Sequence, residues 1–319
     1  MTAQPSHRSL SLCLCCCAKK LSFFFPGGLL VFAIAQEHQQ YTTYVLTDAT
    51  AQSRLEVVPE RGGIITRWQV QGQDLLYMDA ERFANSELSV RGGIPILFPI
   101  CGNLPGNTYT HNGQTYTLKQ HGFARDLPWQ VVDQETQDGV AITLVLESSD
   151  RTRAVYPFDF QLQFTYRLRD NSLEIHQTYT NRSAEPMPFS TGLHPYFPVF
   201  DKNQLRFDIP ATQYQDHISQ SMQSYTGSFD FNLDEIDVAF RDVSRQFAIV
   251  TDPGRKTRLT IDYDLVYSTL VFWTVKGKDY YCLEPWTAPR NALNTGETLI
   301  QLEPGASLNT LVGFSIAFI

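Results

Sequence analysis

At 319 residues the chain is longer than a minimal domain, yet within what one large β architecture holds as a single unit. With 43% hydrophobic, 13% aromatic and 18% charged residues its composition is that of a folded globular protein, which excludes the disordered and fibrous classes. A formal net charge of −8 argues against nucleic acid or an anionic membrane surface as partner and for a small molecule.

The chain opens on a segment that reads as a leader. Arg8, Lys19 and Lys20 are the only formally charged side chains before Glu37, and the apolar stretch from Leu21 to Ala35 ends in Ala33-Ile34-Ala35, the outline of an export signal with its small-residue cleavage site. That stretch of about fifteen residues falls short of the roughly twenty needed to span a bilayer. Pro26-Gly27-Gly28 interrupts it, and of six cysteines four (Cys13, Cys15, Cys16, Cys17) crowd here, leaving Cys101 and Cys282, too few for a disulfide framework. No second ligand cluster follows the cysteine run to complete a metal site. The expectation is a leader over residues 1–36 outside the fold, unstructured or upstream of a true start near Val31, and a cytoplasmic protein; export through residues 1–35 is the alternative.

From Tyr41 onward the apolar period is two. Strands are predicted at Ile64–Val70, then at Val140–Leu146 after the turn Gln137-Asp138-Gly139. Phe160, Leu162, Phe164, Tyr166 and Leu168 alternate with polar residues, and Leu173 and Ile175 continue the pattern beyond Asp170-Asn171-Ser172, which supplies hairpin chemistry. Further strands are expected at Arg258–Tyr263, Leu270–Trp273 and Leu308–Phe318. No stretch keeps a 3.6-residue period for three turns, and 17 prolines with 19 glycines punctuate the chain. Many short strands without interleaved helices predict an all-β protein, an antiparallel sandwich or barrel, with one domain over residues 41–319.

Four segments break the alternation and concentrate Gly, Pro, His, Arg and aromatics, as loops holding a site do. They are Arg91 through Pro99, Gln120 through Arg125, Thr191 through Phe197, and Glu284-Pro285-Trp286 with Arg290 through Asn294. His194 precedes Pro195, which cannot donate a ladder hydrogen bond, so the imidazole sits at a strand terminus. It is either a general acid or base or a core histidine satisfied by a backbone carbonyl. Glu284 ends the run Tyr280-Tyr281-Cys282-Leu283, where a carboxylate either pairs with an arginine such as Arg290 or has its pKa raised for proton transfer. Arg91 precedes Gly92-Gly93 and can approach a ligand closely, and with Arg125 it suits a phosphate, sugar hydroxyls or a structural carboxylate. His121 faces substrate or anchors its loop. His7, His38, His111, His176 and His217 carry no assignment. Asn181-Arg182-Ser183 matches a glycosylation sequon. No Walker loop, GxGxxG, HExxH or GxSxG is present, so nucleotide, zinc-protease and serine-hydrolase readings have no foothold.

In this order, RGGIPILFP at 91–99, QHGFAR at 120–125, GLHPYF at 192–197, and LEPW with RNALNTGE within 283–297 resemble the aldose 1-epimerase (mutarotase) superfamily, most closely its glucose-6-phosphate 1-epimerase-like and galactose mutarotase-like branch. The resemblance spans roughly residues 41–319. It implies an antiparallel β-sandwich of the supersandwich type, a monomer acting on a sugar or sugar phosphate, and no metal or organic cofactor. His194 matches the catalytic histidine and Glu284 the catalytic carboxylate; Arg91, Gln120 and Arg125 match substrate-binding positions, and Asp237 an acidic ligand of the sugar, while His121 joins the expected substrate-binding residues from its place in the same loop. On that pattern Glu284 as carboxylate takes the C1 hydroxyl proton and His194 as imidazolium gives one to the ring oxygen. The sequence departs from the sugar-phosphate branch at Ile96–Gly102 and Asn103–Lys119, which resemble relatives acting on free sugars. Two other functions fit the same residues: a carbohydrate-binding module without turnover, and a glycosidase using Glu284 with Asp237.

Overall fold

The structure, a computed structural model, describes Met1, residues 31–38 and residues 40–319. Of two compact units, Met1–Leu30 and Val31–Ile319, the second carries every strand and helix described. Every pairing between its described strands is antiparallel, with one isolated parallel bridge at Phe98↔Gly122, and the longest described helix is the five-residue turn Ala80–Ala84.

Alternation builds the back sheet. In Phe160–Arg169 every second side chain, from Phe160 to Leu168, is buried against the core. Ser172–Asn181 pairs with it from Phe160↔Asn181 to Arg169↔Ser172, so Asp170 and Asn171 alone make the turn, and Asp170 takes the positive φ that such a turn requires. Across this eight-stranded sheet the order is Arg206–Asp208, Phe247–Asp252, Thr257–Tyr263, Ser307–Phe318, Ser172–Asn181, Phe160–Arg169, Val140–Glu147 and Gln130–Glu135. All the strands expected from periodicity are present, including Ile64–Val70 and Thr269–Val275.

The second large sheet carries the cleft. Its path runs Ser221–Ser224, Gln213–Asp216, Glu235–Phe240, Thr269–Val275, Tyr280–Trp286, Gly192–Leu193 and Ile96–Leu97. One face sends Ile236, Val238, Phe240, Leu270, Phe272, Tyr281 and Leu283 into the core that also takes Leu259, Ile261, Val312 and Phe314 of the back sheet. The opposite face therefore presents Asp237, Trp273, Cys282, Glu284 and Trp286, because the side-chain period of a strand is two. Fully burying one large apolar side chain stabilises by about 1.5–3 kcal/mol, and this shared core holds dozens of them.

A five-stranded sheet closes one end: Phe32–His38, Thr42–Asp48, Ser53–Val58, Ile64–Val70 and Gln73–Asp74. Its first strand corrects the expected leader boundary at residue 36. Phe32–His38 pairs in full with Thr42–Asp48, and Phe32 and Ile34 pack against the core, so apolar residues read as the end of a leader belong to a strand. The cysteine run and the stretch before residue 31 lie outside the described residues. Asn181 of the sequon is fully buried, its amide donating to the carbonyls of Glu185 and Leu302, so it is not open to a glycan. Among the described residues no helix is long and apolar enough to cross a membrane.

Candidate active site

Arg91, Gln120, His121, Arg125, His194, Asp237 and Glu284 all line one cleft of about 400 Å³ on the open face of the second sheet. Four separate loops and strand ends bring them together.

Glycines make the approach possible. Gly93 has φ of +61°, and a Cβ there would lie 2.1 Å from the Ile65 carbonyl oxygen. Gly122 at φ +69° would put a Cβ 2.1 Å from the Phe98 oxygen. Only glycine lets the Arg91 and His121 loops lie this close to their supporting strands. His121 itself takes φ of +64°, braced by its N–H to the Gly102 carbonyl at 2.7 Å and by the Gly102 N–H to its Nδ1 at 3.1 Å. Burial, then the neighbouring Arg125, His194 and Arg290, hold the His121 pKa well below the usual histidine range. A neutral ring whose Nδ1 accepts carries its proton on Nε2, so His121 brings a hydrogen-bond donor to the cleft wall.

His194 follows the short strand Gly192–Leu193, held by Leu193↔Ile96 and Gly192↔Trp286 pairing and by its own N–H to the Pro95 carbonyl at 3.0 Å. Its ring lies flat on Tyr196, centroids 4.7 Å apart, with the edges of Trp273 and His121 closing the sides. Nε2 stands 3.4 Å from Glu284 Oε1, while Nδ1 has no hydrogen-bond partner among the described residues. A histidine with a purely structural role in the core would not aim Nε2 at a buried carboxylate. Glu284 is 1% exposed and its Oε2 accepts from Trp286 Nε1 at 3.1 Å. Arg290, the alternative partner foreseen for it, instead donates to Asp237 Oδ2 at 2.5 Å and Asn103 Oδ1 at 3.2 Å.

Burial sets the charge states of the pair. It holds the His194 pKa down to about 3, helped by Arg125, and pushes the Glu284 carboxyl well up, with Asp237 adding repulsion. Burial thus favours the neutral form of both members of the pair. Asp237 behaves oppositely. Burial works against its charge, yet His217 and Arg290 outweigh burial and keep its pKa below the usual value.

The remaining expected residues sit around this pair. Arg125 donates to the Gln120 carbonyl at 2.8 Å and the Arg91 guanidinium lies 5.9 Å over Trp273, and Arg82 and Ser89 also line the cleft. Arg91 and Arg125 line the same cleft. Sequence reasoning passed over Trp273 and Arg82, gave His217 no assignment, and took Arg290 as a partner for Glu284 rather than for Asp237. Trp273 faces Asp237 in register, but it lies in an all-apolar run that gives alternation nothing to read. For metal, His194, Cys282 and Glu284 place ligand-type atoms within 4.8 Å of one another. Ligands of a tetrahedral zinc ion lie about 3.5 Å apart, and the Cys282 thiol is held protonated by burial, so the trio fits the acid and base roles better than a metal cage.

An antiparallel supersandwich of this kind is the fold of galactose mutarotase-like proteins. Residues 44–315 match the family model of aldose 1-epimerase, and the chain belongs to that family. It is 45% identical to the Slr1438 protein of Synechocystis sp. PCC 6803, with a TM-score of 0.86 over 93% of this chain and 100% of that one. A galactose mutarotase-like protein of Clostridium acetobutylicum shares the fold at 21% identity and a TM-score of 0.77, covering 90% of this chain and 99% of that one. A candidate glucose-6-phosphate 1-epimerase of Cenchrus ciliaris is 25% identical over 61% of this chain and 60% of its own length. The chain spans about half the length of the curated relatives it matches.

Proposed function

We propose that the protein is an aldose 1-epimerase that interconverts the α and β anomers of a hexose or hexose 6-phosphate. The observation that carries this reading is the buried His194–Glu284 pair, 3.4 Å apart in a cleft walled by hydrogen-bonding side chains. Anomer exchange needs one proton taken from the C1 hydroxyl and one given to the ring oxygen, so that the ring opens, the aldehyde turns and the ring closes. The pair holds one mobile proton, which is what the reaction requires.

A sugar hydroxyl donating to Glu284 stabilises the carboxylate form, and the proton passes to His194. Glu284 then takes the C1 hydroxyl proton while the His194 imidazolium protonates the ring oxygen; closure from the other aldehyde face reverses both transfers. Each positioned transfer contributes about 10²–10⁴-fold. His121 Nε2 and the arginines hold ring hydroxyls, and Trp273 and Trp286 offer apolar walls to the sugar's C–H faces. Nothing in these steps calls for a cofactor.

A phosphorylated substrate is the finer part of the proposal. Arg91, with Arg82 on the same cleft wall, suits a C6 phosphate, while Arg125, which the electrostatics couple to Glu284, suits the ring end. The test compares kcat/KM for glucose and glucose 6-phosphate by coupled mutarotation assay. Arg91→Ala should cut the phosphate ester's kcat/KM at least tenfold and that of glucose far less. A glucose 6-phosphate to glucose ratio near one, unchanged in Arg91→Ala, leaves a free-sugar epimerase.

A further inference from the structure

We propose that His217 is a positioning residue: from the tip of the hairpin Gln213–Ser224 it fixes the Asp237 carboxylate in the orientation that accepts a sugar hydroxyl, an inference that rests on the sugar-binding reading above. This hairpin is the edge of the cleft sheet and meets the strand Glu235–Phe240 only at Gln215↔Ala239 and Asp216↔Val238. Beyond that register one residue grips the cleft twice. The His217 N–H donates to the Asp237 carbonyl at 2.9 Å, and its Nδ1 lies 2.9 Å from Asp237 Oδ1. Next to it Ile218 is 58% exposed, whereas the His217 side chain is 9% exposed. The turn's own bonds do not need the imidazole, since Asp216 Oδ1 takes the N–H groups of Ile218 and Ser219.

Asp237 is held from the other side by Arg290 on Oδ2 at 2.5 Å. Each carboxylate oxygen thus has one donor and keeps acceptor capacity for a substrate hydroxyl. Without His217 the group is free to rotate into a two-oxygen fork with Arg290, a geometry arginine favours, and its acceptor leaves the cleft. The carboxylate and arginine would survive such a change; their aim would not. A pre-aimed acceptor lowers the ordering cost of binding, so the effect falls on substrate affinity rather than on the proton transfers at His194 and Glu284.

Three variants of the full chain separate aim from packing. Asn carries its amide nitrogen where histidine has Nδ1, and Gln carries it where histidine has Nε2. His217→Ala should raise KM for the preferred sugar about tenfold with kcat within twofold, His217→Asn should restore KM to within about twofold, and His217→Gln should not. Intrinsic fluorescence of Trp273 and Trp286 gives the same ranking as a Kd for sugar, independent of turnover. Unchanged KM and Kd in folded His217→Ala, or equal losses in all three variants, overturn the proposal. If His217→Ala does not fold, the Asn and Gln pair decides alone. A wild type that neither binds nor turns over sugar overturns this inference and the function together; one that binds and turns over, with His217→Ala binding equally well, overturns this inference only.

Discussion

Replacing Glu284 by Gln tests the proton count of the buried pair through folding stability, without any substrate. With both groups neutral, the form that burial favours by pushing the Glu284 carboxyl up and holding His194 at about 3, the folded pair carries one exchangeable proton, on Glu284. The unfolded pair also holds one proton between about pH 4.5 and 6.5, on the histidine. Folding therefore moves no proton through this pair in that window, and its contribution to stability is flat. Glu284→Gln breaks the balance. His194 stays neutral when folded but becomes cationic when unfolded, so protons favour the unfolded state as pH drops below the histidine's ordinary 6.5, until the folded value of about 3 is reached. At about 1.4 kcal/mol per pH unit below 6.5, the variant should itself lose about 2 kcal/mol between pH 7 and pH 5. His194→Gln gives the opposite slope: a carboxyl with a raised folded pKa contributes stability present below its unfolded value and lost as pH rises through the folded one. Urea unfolding at pH 5, 6 and 7, extrapolated to water, reads both slopes. Parallel profiles for wild type and Glu284→Gln would refute the neutral pair.

Two further outcomes follow from the fold. Gly122→Ala forces a positive φ on alanine and drives its Cβ to 2.1 Å from the Phe98 oxygen, so the melting midpoint should fall by about 6 °C or more; an unchanged midpoint contradicts the close approach that holds the His121 loop. A chain starting at Val31 should be as stable as the full chain, whereas one starting at Gln36 loses Phe32 and Ile34 from the core and about 2 kcal/mol; equal denaturation midpoints for the two would remove Phe32–His38 from the fold.

Much of the architecture was legible because a half-buried strand writes its orientation into alternate residues, as Phe160–Arg169 does. The cleft sheet was harder. Leu270–Trp273 is apolar on both faces, so periodicity marks the strand but hides that Trp273 faces the cleft while Phe272 faces the core. The loops around Arg91, Gln120, His194 and Glu284 stood out because Gly and Pro interrupt the alternation, and the cleft gathers all four. Proton placement could not be read, since it depends on the depth of burial and on Arg125 and Asp237, brought in from distant segments. Nor could the partners of Asp237: His217 reaches it across a hairpin, and Arg290 from beyond the next two strands. Phe32–His38 was missed for a different reason, because an apolar edge strand after two lysines has the same composition as the end of an export signal.

Polarimetry of freshly dissolved α-glucose, α-galactose and glucose 6-phosphate, with wild type beside folded His194→Gln and Glu284→Gln, tests the central claim most directly. The account predicts that wild type speeds the approach to the equilibrium rotation for at least one of the three and releases no new reducing ends from a glycoside. It predicts that either substitution removes most of that acceleration, by about 10²-fold or more. Wild type that leaves all three rates at those of buffer, or variants that keep the full rate, would contradict it.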